Sequence, residues 1–214
     1  RNQHELRRAD AGGCRVAGDA QDVGGLLVVG VPHAARKAHL VVDLPVDARR
    51  ERHAALRPGQ GLGERHLVEI GVEHGGVVDK FVGDLIMVTF GAPRTGIDDA
   101  VRMARCALGM VEARTRANEG AAEPIRIGVG CAYGRVVAGC MGSVRRLDYT
   151  VLGERVNLAS RLCSKAPAMR VWVDSGTRAA VGHHAQFSKL SPIEAKGFSK
   201  PVEAFELSSL EENA

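Results

Sequence analysis

Residues 74–90 read HGGVVDKFVGDLIMVTF, which contains two runs rich in β-branched and apolar residues. The runs are Val77–Val82 and Leu85–Phe90, and the pair Gly83-Asp84 separates them. A Gly-Asp pair between two such runs is typical of a tight β-hairpin. The stretch therefore predicts two antiparallel strands that carry Asp84 at the exposed tip of their turn.

Helical and strand-like periods alternate downstream of this hairpin. A helix is expected to begin at Asp98 or Asp99, because apolar residues recur there at spacings of three and four. Those residues are Ile97, Val101, Ala104, Leu108 and Val111. Further strands are predicted over Arg126–Ala138, ended by Gly139 and Gly142, and over Asp148–Leu152, Val171–Val173, Phe187–Leu190 and Val202–Leu207, with helices over about Glu154–Ser164 and Ser175–Val181. This alternation predicts an α+β sandwich, a sheet with helices on one face.

The composition is that of one soluble globular domain. The chain has 214 residues, of which 45% are hydrophobic and 25% are charged, a balance that allows a buried core. The net charge of +4 is not gathered into basic clusters interleaved with aromatics, so nucleic acid is not an expected partner. No apolar run approaches the ~20 residues of a membrane helix and no secretory signal is present, which predicts no membrane segment and a cytoplasmic location.

Residues 1–66 differ in texture from the rest of the chain. Residues 1–65 contain no Ser, Thr, Ile, Met, Phe, Tyr or Trp, whereas every aromatic residue and every methionine follows Arg65. Such an amino-acid composition is what a GC-rich gene yields when it is translated in the wrong reading frame. The segment is therefore interpreted either as a frame-shifted or foreign translation or as a low-complexity extension. Both interpretations predict poor order there.

Four blocks after residue 66 resemble the class III adenylate cyclases. Residues 74–84 are similar to that family's HGG-x-x-x-K-x-x-GD hairpin. Residues 126–139, RIGVGCAYGRVVAG, carry its R-I-G and G-x-V-x-x-G elements, and residues 148–162, DYTVLGERVNLASRL, match DYT-x-x-G-x-x-VN-x-A-x-RL. Residues 195–197, AKG, match a late KG turn. The blocks occur in the family's order and cover about residues 67–207.

The resemblance implies a fold and a reaction. The fold is α+β, a ferredoxin-like βαββαβ nucleotide cyclase sandwich with a small C-terminal subdomain, over residues 67–207 with a tail at 208–214. The reaction converts ATP into 3′,5′-cyclic AMP and pyrophosphate when the ribose 3′ oxygen attacks the α-phosphorus. Such a site has to position the substrate in line, hold two divalent ions, Mg or Mn, and neutralise phosphate charge.

The resemblance also implies roles for two pairs of residues. Arg161 would stabilise the transition state and Asn157 would hold the ribose, and their spacing of four places them on one face of a helix. Lys80 would donate to adenine N1 and Thr150 would accept from the exocyclic amine. Guanylate cyclases carry an acidic and a small Cys-like residue at these two places. Lys80 with Thr150 therefore points to ATP.

Three further residues belong to the implied site, and one expected residue is missing. Lys196 would contact the terminal phosphates, Arg145 would assist them, and Asp84 would bind the metal ions. The family's first metal carboxylate lies in an F-x-D-I-x-G-F-T segment about 44 residues before the Gly-Asp turn, and residues 35–50 contain nothing like it. Asp43 is the nearest candidate, although it lies closer to Asp84 than the motif requires.

The implied site draws its residues from two subunits. The resemblance therefore implies a head-to-tail homodimer, or a heterodimer with another cyclase domain, and a monomer should be inert. A two-metal site with a single Asp loses charge and geometry together. Two alternatives stay open: a catalytically dead cyclase homologue that binds nucleotide or a partner cyclase as a regulator, and an unrelated α+β anion-binding protein.

Overall fold

The computed structural model describes residues 25–30, 62–82, 85–122, 124–143 and 146–211. The strands are β1 (Gly25–Gly30), β2 (Val77–Val82), β3 (Leu85–Thr89), β4 (Gly128–Tyr133), β5 (Val137–Ser143), β6 (Arg146–Leu152), β7 (Val171–Asp174), β8 (Ala185–Lys189) and β9 (Ala204–Leu210). The helices are α1 (Leu62–Glu73), α2 (Asp99–Asn118), α3 (Glu154–Lys165) and α4 (Ser175–Val181). No helix within these ranges combines the length and the apolar content needed to cross a bilayer.

The order of the elements confirms the predicted fold class. A seven-stranded sheet has the order β2-β3-β1-β4-β7-β9-β8, and β5 and β6 form a separate antiparallel ribbon. The chain runs β1-α1-β2-β3-α2-β4, and all pairings among these four strands are antiparallel, as in a ferredoxin-like βαββαβ unit. β7 joins β4 in parallel, and β9 and β8 continue the same sheet.

Two apolar cores lie on the two faces of this sheet. Strand side chains alternate between faces, so Ile86 and Val88 of β3 pack with α1 and α2, whereas Met87 packs with α3. The second core also holds the ribbon through Ala138 and Val151. Helices therefore cover both faces. The expectation of helices on one face is wrong, because α3 returns across the side opposite α1 and α2.

β1 lies at the centre of the βαββαβ unit. It pairs with β3 on one side and with β4 on the other, and Leu27 is fully buried. β1 and the start of α1 at Leu62 fall inside residues 1–66, so part of that segment belongs to this fold. The run GLLVVG is apolar enough for a strand with covered faces. The other residues of that segment lie outside the described ranges.

Two local predictions also differ from the structure. The strand expected over Arg126–Ala138 is two strands, because the chain turns at Gly134, whose φ of 151° favours glycine. β5 then continues through Gly139 and Gly142, which were expected to end the strand. Ile97 precedes α2 and is fully exposed, so it does not belong to the buried face of that helix.

Candidate functional site

Helix α3 presents two of the predicted residues on its polar side. Its buried side consists of Leu158, Ala159, Leu162 and Cys163. Asn157 is exposed and Arg161 is half-buried, and their spacing of four aligns them along the helix. The Nε atom of Arg161 is buried and has no hydrogen-bond partner among the described residues. Because Arg161 as a whole is only half-buried, the rest of its charged side chain stays accessible to an anionic ligand.

Two glycines of β4 allow α3 to lie close to the sheet. A Cβ atom at Gly128 would meet the carbonyl oxygen of Cys163 at 3.0 Å. A Cβ atom at Gly130 would collide with the backbone of Ala159 and Cys163. Any larger residue at Gly130 would therefore push the helix off the strand, since neither partner atom belongs to a flexible side chain. These glycines therefore determine how close α3, with the polar residues that it carries, lies to the sheet.

The beginning of α3 is tied to the end of β7 by an ion pair whose carboxylate is buried. Arg155 Nη1 donates to Asp174 Oδ2 at 2.9 Å, and the Asp174 side chain is fully buried. Asp174 Oδ1 also accepts from the Tyr133 amide at 3.2 Å. The Thr177 amide and hydroxyl donate to the same oxygen at 2.8 and 2.7 Å, which caps α4. One carboxylate thus joins β4, β7, α3 and α4 and fixes the orientation of α3.

Strand β2 contains a β-bulge at Asp79. Val78 pairs with Val88 and Lys80 pairs with Met87, which leaves Asp79 as the extra residue opposite β3. Successive strand residues normally point to opposite faces, but a bulge re-aims one of them. Here Lys80 Nζ lies 3.5 Å from Asp79 Oδ2, so the two neighbours meet on one side. Because Met87 belongs to the core beneath α3, this is the α3 face of the sheet.

Thr150 of β6 joins this pair through the same carboxylate oxygen. Its Oγ1 donates to Asp79 Oδ2 at 2.8 Å. The Asp79 side chain is 4% exposed and Thr150 is 8% exposed, whereas the Lys80 side chain is 40% exposed. Burial and the Asp79 charge raise the pKa of the adjacent Tyr149 above its ordinary value of 10.0. The structure therefore brings Lys80 and Thr150 together around a buried acid.

Lys196 lies near the far end of α3. It is exposed in the loop between β8 and β9 and lines a cavity of about 490 Å³. Lys165, Lys200 and the acid Glu194 line the same cavity, so its charge favours an anion. Lys165 follows Arg161 by four residues, so the polar side of α3 leads towards this cavity.

Three predicted site residues, Asp84, Asp43 and Arg145, lie outside the described residues. The strand register nevertheless shows what β1 brings to the hairpin, because Gly30 pairs with Leu85, the residue after Asp84. β1 reads GLLVVG and supplies no carboxylate. Among the described residues no group of three or more His, Cys, Asp or Glu side chains would hold a metal ion. These residues do not complete a two-metal site.

Sequence reasoning misses two acids of this region. Asp79 directly precedes Lys80, but strand alternation places neighbours on opposite faces, so only the bulge shows that they act together. Asp174 precedes Ser-Gly-Thr, a spacing typical of a helix N-cap, and this signal was available in the sequence. Its ion pair with Arg155 joins distant elements and has no local signature.

A ferredoxin-like sandwich with these polar residues on the α3 side of its sheet has the architecture of a nucleotide cyclase. The model of the adenylate and guanylate cyclase catalytic domain matches residues 78–209. An uncharacterized protein of Mycobacterium tuberculosis, MT1361, is 34% identical over 134 residues, which cover 61% of this chain and 23% of that relative. The chain therefore belongs to the adenylate and guanylate cyclase catalytic domain family.

Solved structures support the same family. The guanylyl cyclase Cya2 superposes with a TM-score of 0.73 at 26% identity and covers 91% of this chain and 95% of its own. The adenylyl cyclase CyaB from P. aeruginosa gives a TM-score of 0.69 at 25% identity, with 92% and 99% covered. Cyclase domains of this family are generally dimeric, bind nucleotide and use Mg or Mn ions. Since the neighbours include both kinds of cyclase, overall similarity does not decide the purine.

Proposed function

We propose that this chain is the catalytic domain of an adenylate cyclase, which converts ATP into 3′,5′-cyclic AMP and pyrophosphate. The observation that carries the proposal is the meeting of Lys80 and Thr150 around Asp79. Lys80 offers only donors, which suit adenine N1, and Thr150 offers an acceptor for the exocyclic amine. Guanine presents a donor at N1 and an acceptor at O6, the reverse pattern. These residues therefore favour ATP.

The sugar and phosphates would follow the polar side of α3. Asn157 would hold the ribose, and Arg161 would place its planar fork on the phosphate at which charge develops. Lys196, beside Lys165 in the cavity, would neutralise the terminal phosphates. From Asn157 to Lys165 the helix rises by about 12 Å, which suits a ribose with its triphosphate chain.

The complete site would form between two protomers in a head-to-tail homodimer, or in a heterodimer with another cyclase domain. Asp84 of one protomer would face Arg161 and Asn157 of the other, and Arg145 would assist at the phosphates. Asp84 is the proposed ligand for Mg or Mn, with Asp43 as the remaining candidate for a second carboxylate. β1 does not supply that second carboxylate.

A second function is favoured by the sequence of β1. If no carboxylate stands beside the hairpin turn, a two-metal site loses one of its shared ligands. A chain of this kind would be a catalytically dead cyclase homologue that still binds nucleotide, or a partner cyclase, and regulates it. The base-reading residues would then serve binding without turnover.

The deciding experiment measures cyclic AMP formation from ATP and Mn²⁺ by the purified full chain. The enzyme proposal expects product from the parent and a fall of about 100-fold or more in kcat for both Arg161→Ala and Asp84→Ala. The matched control is Arg116→Ala, an exposed arginine on α2, which should retain parental activity. Activity that survives both substitutions contradicts the site. A parent that binds ATP without turning it over supports the regulator.

A further inference from the structure

We propose that Asp79 sets the purine selectivity of the site by fixing the direction of the Thr150 hydroxyl hydrogen. The inference rests on the proposed function, because it concerns how the same site reads its base. Asp79 is a positioning residue in this scheme. It acts through Thr150 and Lys80 and has no need to touch the nucleotide.

A threonine hydroxyl alone does not distinguish adenine from guanine. It has one hydrogen and two lone pairs, so it is able to accept from the adenine amine or to donate to guanine O6. An ionised carboxylate, by contrast, only accepts. Thr150 Oγ1 must therefore be the donor in its 2.8 Å bond to Asp79 Oδ2. Only lone pairs remain for a ligand, and these match the amine of adenine.

Lys80 strengthens this arrangement in two ways. Its ammonium lies 3.5 Å from the same Oδ2 atom, and this charge favours the ionised form of Asp79. The contact also restrains the long Lys80 side chain, which carries donors only and thus suits the N1 acceptor of adenine. Guanine would place its N1–H donor against the ammonium donors of Lys80, and its O6 acceptor against the lone pairs of the Thr150 hydroxyl. The bulge at Asp79 makes this possible, because it places both neighbours on the side of Thr150.

Burial gives the hydrogen-bond pattern its discriminating effect. With Asp79 only 4% exposed, water does not readily replace it as the hydroxyl's partner. A base that requires the hydroxyl to turn would break its hydrogen bond to the buried carboxylate. We expect the fixed hydroxyl to contribute about tenfold or more to the preference for ATP over GTP.

The test measures dissociation constants for ATP and GTP on the full chain, by competition against a fluorescent ATP analogue with Mn²⁺. The parent should prefer ATP. Asp79→Leu keeps a similar volume but has no acceptor, which frees the hydroxyl hydrogen for guanine O6. The ratio of the GTP to the ATP dissociation constant should fall about tenfold or more, and Asp79→Glu should restore part of it. The matched control Glu112→Gln neutralises an exposed carboxylate on α2 and should leave the ratio unchanged.

A second pair of variants keeps the test decisive if Asp79→Leu does not fold. Thr150→Val removes the hydroxyl and should lower the same ratio, whereas Thr150→Ser keeps the hydroxyl and should preserve it. A parental ratio in folded Asp79→Leu overturns the inference and leaves the proposed function standing. A parental ratio in Thr150→Val shows that Thr150 does not read the base, and overturns the inference together with the support that Thr150 gives to ATP. In a further outcome, the parent binds ATP selectively without forming cyclic AMP, while the ratio falls in the variants as expected. That result supports the inference and contradicts the enzyme proposal. Binding of neither nucleotide overturns both.

Discussion

Arg161 combines partial burial with an Nε atom that has no partner within the described part of the chain. Two other buried nitrogens share this lack of a partner there, Arg114 Nε on α2 and Trp172 Nε1 on β7. Leaving such a donor unpaired costs about 1–3 kcal/mol of folding free energy. Arg161 alone of the three belongs to the polar side of α3, where the accessible part of its side chain would meet a phosphate.

The shape of this side chain should matter as well as its charge. Arg161→Lys keeps a positive charge but loses the planar fork that suits phosphate. We expect kcat for cyclic AMP formation to fall about 100-fold with little change in KM, because the lost contact is strongest in the transition state. Steady-state kinetics should show the same values for the parent and for Arg116→Lys. A near-parental kcat in Arg161→Lys would show that Arg161 contributes its positive charge alone and that the planar guanidinium is not required.

Cys106 of α2 predicts a pH dependence of stability. Burial raises the pKa of its thiol from 9.0 to about 12. Above pH 9 the unfolded chain releases this proton while the folded chain keeps it, so stability is full below pH 9 and falls as pH rises towards 12. One such thiol removes up to about 1.4 kcal/mol per pH unit. Burial raises the pKa of Cys131 in the same direction.

Urea unfolding at pH 8 and pH 10.5 measures this effect. Cys106→Ala lacks the thiol, so its free energy of unfolding should fall less over this interval than that of the parent, by about 1–2 kcal/mol. Equal losses in the parent and in Cys106→Ala would show that this thiol ionises freely in the folded chain.

At the scale of elements, α3 is positioned by the strand beneath it. Gly130→Ala would place a methyl group against the backbone of Ala159 and Cys163, which have no rotamer to change. We expect a loss of at least about 2 kcal/mol in stability and a fall in nucleotide affinity, since α3 carries Asn157. Thermal melting and ATP binding would measure both. Gly139→Ala is the matched control, because its added Cβ would meet nothing within 4 Å.

Sequence patterns predict the elements of this fold well where a local period specifies them. The β2–β3 hairpin and the bounds of α4 are confirmed, because alternation and capping residues act over a few positions. β1 was not predicted, since GLLVVG is short, lacks alternation and sits within an atypical segment. The contact of Asp79 with Thr150 was also beyond reach, because it depends on a bulge and on a distant ribbon.

At the scale of the whole molecule, the residues with proposed roles divide into two groups. The first group lies on the α3 side of the sheet: Lys80 on β2, Thr150 on β6, and Asn157 and Arg161 on α3. Asp84 follows β2 in the chain and would serve the partner's nucleotide. A head-to-tail dimer would place each group opposite the complementary group of the other protomer, and so form two equivalent sites.

This division predicts complementation between two inactive variants. Asp84→Ala retains the helix group and Arg161→Ala retains the acid, so a mixed dimer would contain one intact site and one doubly defective site. Random pairing of equal amounts would make half of the dimers mixed, which should restore about a quarter of parental activity. Cyclic AMP formation by the two purified variants, alone and after mixing, measures this. As a control, mixtures of either single variant with the double variant Asp84→Ala/Arg161→Ala should stay inactive. A site shared between protomers would be contradicted if the mixed single variants stay inactive while analytical ultracentrifugation shows that mixed dimers have formed.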